Sequence, residues 1–401
     1  MQNHLDLPSL IESIKTGSVG PLTFIPNSVL AFGINSDGTV IIGVNTNAEG
    51  TSRAFRWKDG EGMHDLGVLP DRTAGSNALG INANGTVIVG KSWNDRREKR
   101  AFRWKESTGT MEDLGVLPSG VDSTARGVSN DGTVIVGSSW NDRGEERAFR
   151  WKEGRTPAME DLGVLPSMTS SKAFAVSANG TTVIGECHGE GVTRAFRWKE
   201  GRTPAMEDLG VLSSMTSSEG HSMNADGTVI VGSSWNDRGE KRAFRWADSG
   251  DMQDLGVLPN RTRSKANDVN ADGTVIAGSS WNDSEGESKR GFLWNASHGM
   301  HDLGEYNSRM GSEANGLSSD GSVTVGGEAC QGPGSAPHAL RWTAYCGMQD
   351  LRVIPGFTSS NAYAVSANGL SVVGACFGGE GGAIRVFRWT AGVLQNLGTL
   401  P

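Results

Sequence analysis

No run of 18 apolar residues occurs anywhere in this chain, which excludes a membrane-spanning helix. Basic residues do not outnumber acidic ones: 37 against 45 give a net charge of −8, the wrong sign for non-specific binding to nucleic-acid phosphates. Only four cysteines are present, too few for a disulfide scaffold in a chain of this length. Cys187, Cys330 and Cys376 fall near the second strands of separate repeating units, and Cys346 falls in a different hairpin. Cysteines so distributed are too far apart to bridge, so free thiols are expected and the redox compartment is not indicated. A phosphate loop, a GxSxG elbow and a paired zinc CxxC are all missing. So is the sustained 3.6-residue apolar period of a helical solenoid. No cofactor is expected.

The first twenty residues lack the basic and apolar regions of a secretory signal. Leu7, Leu10, Ile11 and Ile14 stand at helical spacing beside Asp6 and Pro8, a cap and first turn. They predict a short amphipathic helix in an N-terminal segment, 1–19, that docks on the main body.

What the chain has in abundance is glycine, 57 residues, and repetition. Residues 148–171, AFRWKEGRTPAMEDLGVLPSMTSS, recur at 195–218 with one change, Pro166 becoming Ser213. An Asx-Gly pair recurs at Asp37, Asn84, Asp131, Asn179, Asp226, Asp272, Asp320 and Asn368, in steps of 46 to 48. Trp57, Trp104, Trp151, Trp198, Trp246, Trp294, Trp342 and Trp389 keep the same beat. Eight copies of a unit therefore cover 28–401, and a fixed period of this length marks an array of identical building units.

In the second copy, four segments have β character: 78–82, 86–90, 100–105 and 111–117. Asn82-Ala83-Asn84-Gly85 is a hairpin signal, because Asn tolerates and Gly readily enters the left-handed region. Val87 and Val89 alternate with Thr86 and Ile88, and β-branched residues suit a pleated surface. Phe102 and Trp104 share one face while Ala101 and Arg103 share the other. Four strands in about 47 residues match a propeller blade. The fold class predicted is all-β, a β-propeller of eight four-stranded antiparallel blades occupying 20–401, with a seven-bladed or open arrangement as the alternative. Residues 22–27 resemble 255–260, the end of the fifth copy, and 394–400 form a similar segment. One of these terminal segments is expected to complete the blade at the seam, and the sequence does not choose between them.

The units Arg53-Ala54-Phe55-Arg56-Trp57 and Asp65-Leu66-Gly67-Val68-Leu69, with Gly-Ile-Asn-x-Asx-Gly-Thr-Val-Ile-x-Gly in copies one and two, resemble the HAF repeat of bacterial proteins. The resemblance covers about 370 residues, eight units of the period given above. It implies a surface-exposed or secreted protein of the autotransporter-passenger kind, and it carries no catalytic motif. This chain departs from that pattern in lacking a recognisable signal and the length for a translocator barrel. Export by another route, a cytoplasmic location, or a gene truncated from a longer one are the alternatives that follow.

The charged pattern most often repeated is the Arg of Phe-Arg-Trp with the Asp of Asp-Leu-Gly: Arg56 with Asp65, Arg103 with Asp113, Arg150 with Asp161, Arg197 with Asp208, Arg245 with Asp254. One pair written so many times reads as a cross-strand ion pair, since a catalytic site needs groups in different environments. Copy six carries Leu293 instead of Arg, and copy eight sets Arg388 against Asn396. The Asx-Gly turns lack the bidentate Glu of a calcium loop, and His298 with His301 forms an HxxH on a hairpin rather than a helix. No metal site is expected.

Two features break the symmetry. Ser-Trp-Asn-Asp occurs in copies two, three, five and six, placing Trp93, Trp140, Trp235 and Trp281 at the start of a polar loop, where they could stack on sugars or fill a partner's pocket, or else pack back on their own blades. The second is one variable position in the first strand: Phe32, Leu79, Arg126, Phe174, His221, Asn267, Asn315 and Tyr363. First strands of a propeller line the channel, and small neighbours such as Ala78 and Gly80 fit the crowding there. A position that is Arg126, His221, Asn267, Asn315 or Tyr363 is either wet or contacts a ligand. The function expected is a non-enzymatic, monomeric binding propeller whose partner is a protein or glycan surface. The rival is a glycan-active hydrolase or lyase at the channel mouth, for which Asp268 and His221 are the hints. A plain surface spacer is the third reading.

Overall fold

The computed structural model describes residues 28–282, 289–306, 311–329 and 336–401. They form eight sheets, each of four consecutive antiparallel strands in chain order. First strands of successive blades touch, and that of blade 8 (Ser359–Val365) touches that of blade 1 (Ser28–Ile34), which closes the ring. The chain is an eight-bladed β-propeller. The predicted helix in 1–19 and the strand-like segment 22–27 lie outside the described residues. Blade 8 takes its fourth strand, Val393–Asn396, from the C-terminal segment. At the seam the Val29 N–H donates to the Ile384 carbonyl at 3.0 Å, and the Ile384 N–H donates to Ser28 Oγ at 3.3 Å.

Blade 2 shows how the repeat folds. Its strands are Gly75–Ile81, Val87–Trp93, Lys99–Lys105 and Thr110–Asp113. The first turn places Gly85 at φ +77°, and Asn84 Oδ1 accepts from the Thr86 N–H at 3.1 Å and its hydroxyl at 2.6 Å. The fourth strand stops short of the expected 117 because Asp113 Oδ1 takes the Gly115 N–H at 2.7 Å and Gly115 turns the chain at φ +79°. Leu114 and Leu117 then drop into the layer between blades 2 and 3, beside Val87, Val89, Phe149 and Trp151. The second strand runs further than expected, so Trp93 ends a strand instead of starting a loop.

In blades 2 to 8 a buried serine near the start of the first strand clasps the preceding blade, while blade 1 has Val29 at that place. Ser123 Oγ accepts from the Ala101 N–H of the preceding blade at 2.9 Å and donates to the Gly115 carbonyl at 2.6 Å. Ser76, Ser171, Ser218 and Ser264 repeat the clasp.

The expected pairing of Arg with the Asp of Asp-Leu-Gly is not what forms. In the register, Phe55 stands opposite Asp65 and Arg56 opposite His64. Directly opposed residues share a face, so Arg56 points away from Asp65 and toward blade 2. There Arg56 meets Glu106 at 2.6 Å, Arg103 meets Glu153 at 3.2 Å, Arg150 meets Glu200 at 2.8 Å and Arg197 meets Asp248. Each of these arginines reaches the acid that follows the third strand of the next blade. The Asp instead caps its own turn and lies near the Arg that opens the third strand, as Arg53 and Asp65 do at 3.8 Å and Arg194 and Asp208 at 3.6 Å.

Candidate binding face around the central channel

The variable first-strand position has one structural identity in every blade. Ala125 pairs with Gly137 and Gly127 with Val136, leaving Arg126 as the extra residue of a β-bulge. Phe32, Leu79, Phe174, His221, Asn267, Asn315 and Tyr363 are the extra residues of the other bulges. A bulge kinks its strand and re-aims one side chain. It also brings the two backbones so close that a Cβ on Gly137 would lie 2.0 Å from the Thr124 carbonyl oxygen. The glycine at this point of every second strand is therefore obligatory.

Phe32, Leu79 and Arg126 are buried and the other five bulge side chains half-buried, and most of them are tied to a neighbouring blade. His221 Nδ1 donates to the Ala266 carbonyl of the next blade at 2.6 Å, Asn267 Nδ2 to that of Ala314 at 2.7 Å, and Asn315 Nδ2 to that of Ala362 at 3.0 Å. Each reaches the residue just before the neighbour's bulge, so blades 5 to 8 are belted together around the axis. Blades 8, 1 and 2 replace the belt with apolar contact: Phe32, Leu79 and Tyr363 pack with Leu30 and Val44. The Tyr363 hydroxyl is buried there without a hydrogen-bond partner among the described residues, and burial pushes its ionisation well above the usual tyrosine range. Arg126 is buried and donates to Ser138 Oγ at 2.5 Å, with Glu146 at 3.9 Å.

Asp268 is likewise structural. Its Oδ1 accepts from the Ser222 hydroxyl of blade 5, and its Oδ2 from the Leu317 N–H of blade 7, each at 2.8 Å. His221 Nε2 lies 2.8 Å from Glu219 Oε1. Burial would raise the Glu219 carboxyl, but His221, Lys241 and Lys265 outweigh it and hold the group well below the usual carboxylate range. Among the described residues no group of three His, Cys, Asp or Glu side chains converges as a metal site.

Trp93, Trp140 and Trp235 end, or nearly end, their second strands, and Trp281 does so in blade 6. All four therefore stand on the one face of the ring where second strands give way to third strands, and all are half-buried. The Trp93 indole lies across Gly75, where a Cβ would approach it to 2.3 Å. The Trp140 ring has the Lys99 ammonium 5.7 Å and the Arg126 guanidinium 5.9 Å from its centroid, and Trp235 has Lys241 at 5.0 Å. The following asparagine shapes the loop: Asn141 Oδ1 accepts from the N–H groups of Arg143 and Glu145, each at 3.0 Å. The loop of blade 6 falls partly outside the described residues.

Motif reading missed the charged positions next to these tryptophans. Two residues before each bulge, and just after each obligatory glycine, stand cross-strand pairs that differ in every blade: Leu30 with Val44, Asn77 with Lys91, Thr124 with Ser138, Lys172 with Glu186, Glu219 with Ser233, Lys265 with Ser279. The signal was there in the copies themselves. The Phe-Arg-Trp strand hardly changes from copy to copy, whereas these positions run through apolar, basic, acidic and neutral residues.

No family model matches the sequence, and no curated protein matches it. Solved structures share the architecture. Dipeptidyl peptidase 4 from Porphyromonas gingivalis superposes with TM-score 0.60 at 11% identity, over 99% of this chain and 62% of that one. A puromycin-hydrolysing peptidase from Mycobacterium tuberculosis gives 0.52 at 15% identity, over 88% and 59%. Oligogalacturonate lyase from Vibrio parahaemolyticus gives 0.50 at 11% identity, over 91% and 96%. The chain spans less than two thirds of the length of either peptidase. Likeness at these identities establishes the fold alone.

Proposed function

We propose that this chain is a non-enzymatic, monomeric binding propeller that presents the second-to-third-strand face around its channel to a protein or glycan. The observation that carries this reading is where the eight copies differ. The residues that build and clasp the blades repeat, while those beside the channel, from Lys91 and Trp140 to Glu219, Trp235 and Lys241, form a different set in each blade. A face that only had to pack would have no reason to depart from the repeat. The two groups that suggested glycan-cleaving chemistry, His221 and Asp268, are held in inter-blade hydrogen bonds, which disfavours them as an acid and base. The HAF resemblance supports exposure at a bacterial surface or secretion.

The test is an array of glycans and proteins probed with the full chain and with its Trp140→Ala/Trp235→Ala variant. Ligands retained by the parent and lost by an equally stable variant support the reading. Equal retention by both, or turnover of a glycan ligand, contradicts it.

A further inference from the structure

Blade 2 contributes two lysines to this face, Lys91 and Lys99, that make no ion pair among the described residues, and Arg126 of blade 3 stands beside them. Lys91 stands in the middle of its second strand, opposite Asn77 on one side and Ala101 on the other. Among the described residues its ammonium makes no hydrogen bond and no ion pair. Lys99, two residues on along the same face at the start of the third strand, likewise has no carboxylate within ion-pairing distance; its ammonium rests near Trp140. The Arg126 guanidinium lies 5.9 Å from the centroid of the same indole. Blade 1 offers only Leu30 and Val44 at the corresponding positions, so no acid approaches from there.

The acids on the blade 3 side are already engaged. Asp122 accepts the Lys99 backbone N–H at 2.8 Å. Glu146 lies between Arg126 at 3.9 Å and Lys172 at 3.7 Å. Glu186 is shared by Lys172 at 3.6 Å and His188 at 2.9 Å. An independent sign comes from Asn77. It is 2% exposed, neither its Oδ1 nor its amide nitrogen has a hydrogen-bond partner among the described residues, the nitrogen being the donor an anion would use, and its register with Lys91 puts the two side chains on one face. Buried polar groups in folded proteins are ordinarily satisfied, and an unpaired cation is costly even where, like Lys91, it is half-buried.

We infer that Lys91, Lys99, Arg126 and Asn77 form a binding site for an oxyanion, the carboxylate or the sulfate or phosphate group of a ligand that docks on the channel face. An anion here would supply the missing countercharge, take a hydrogen bond from the Asn77 amide, and leave Trp140 beside it to stack on whatever carries the group. The state of Lys91 agrees. Burial, with Lys99 and Arg126 adding repulsion, brings its ammonium down to about 7, which is what a cation held ready without its partner should show. An anion would draw the proton back.

This site rests on the channel-face reading and specifies the chemistry that part of the face selects. It is tested by titrating the full chain calorimetrically with sodium sulfate and, separately, with sodium acetate, neither of which changes protonation between pH 6 and 8.5. One-to-one binding of at least one probe is expected at pH 6. It should weaken about tenfold at pH 8.5, as Lys91 loses its proton, and about tenfold again at pH 6 in Lys91→Met. Lys99→Met serves as the second variant should Lys91→Met fail to fold, and Lys152→Met, at the far end of the blade 3 third strand where it pairs with Glu200, should bind like the parent. Sulfate binding alone assigns a tetrahedral anion, acetate binding alone a carboxylate. No saturable binding of either probe overturns the inference, as does binding indifferent to both pH and Lys91. Such a failure leaves the wider reading standing if the Trp140→Ala/Trp235→Ala variant still loses its array ligands.

Discussion

The guanidinium of Arg103 lies 4.4 Å from the ring centroid of Trp151 in the next blade. Its Nη2 meets Glu112 at 2.6 Å, and its Nη1 stands 3.2 Å from Glu153. The same stack joins Arg56 to Trp104, Arg150 to Trp198, Arg197 to Trp246 and Arg341 to Trp389, and it crosses the seam as Arg388 to Trp57. Phe-Arg-Trp is thus a tenon and mortise in one strand: Phe and Trp fill the layer on one side while Arg reaches the Trp of the blade beyond. Trp151 is 6% exposed. Trp151→Ala should cost about 3–5 kcal/mol, and Arg103→Ala a smaller amount of roughly 1–3 kcal/mol, because its acids remain hydrated. Chemical denaturation of both and of the double variant should give a coupling of about 1 kcal/mol. Additive effects would mean that the two residues do not touch.

The bulge makes a paired prediction about glycine. Gly137→Ala sets a methyl group 2.0 Å from a backbone carbonyl, which no rotamer relieves, and should cost about 3 kcal/mol or more. Gly220 fills the place that Ala125 and Ala173 hold in neighbouring blades, and its added Cβ would meet nothing closer than Ile230 Cγ2 at 3.4 Å. Gly220→Ala should be neutral or stabilising by about 0.4–1 kcal/mol, through the stiffer unfolded chain. Thermal melts of the two variants check both directions.

The thiols should separate by reactivity. Cys187 and Cys376 stand where serine accepts the N–H of a buried loop residue in other blades, and the Ile354 N–H donates to Cys376 Sγ at 3.3 Å. Burial pushes Cys187 up to about 12 and Cys376 up to about 11, so neither is a thiolate at neutral pH. Cys346 is exposed. Native labelling with a thiol reagent, read by peptide mass spectrometry, should modify Cys346 at once and spare Cys187 and Cys376 until denaturant is added. Rapid native modification of Cys187 would contradict its place in the core.

Lys91 should leave a mark on stability. Its folded ammonium sits at about 7 against 10.5 in a free side chain, so between these values the unfolded chain binds more protons and stability rises with pH. Below pH 7 that contribution is lost. Lys91→Met should raise the melting temperature at pH 6 and flatten the pH 7–10 slope, as melts across that range at constant ionic strength will show. An unchanged slope would place the Lys91 ammonium in water.

Much of this fold was legible because the sequence states it repeatedly. The Asx-Gly beat fixed the hairpins, the Trp beat counted the blades, and Val87-Ile88-Val89 marked a strand buried on both faces. The Arg partners were misread because sequence proximity favoured Asp113 for Arg103, whereas strand parity turns Arg103 to the next blade. The bulges were invisible, since an extra residue that every copy carries in its first strand leaves no trace in a repeat of 46 to 48 residues. The polarity of His221, Asn267 and Asn315 suggested water or ligand when their partners are carbonyls of a neighbouring blade. The charged pairs beside the channel form no motif, and only lining up the copies position by position brings them out.

The central claim, that the copies differ where the protein binds, is tested most directly by mapping the footprint of an array-identified partner on the full chain. Hydroxyl-radical footprinting with and without that partner reads side-chain protection residue by residue. The account predicts protection of Trp140, Trp235, Lys91 and Lys241 on the channel face, with Met159, Met206 and Met252 of the fourth strands unchanged. Protection confined to those fourth strands, with the channel-face tryptophans as reactive as in the free protein, would contradict it.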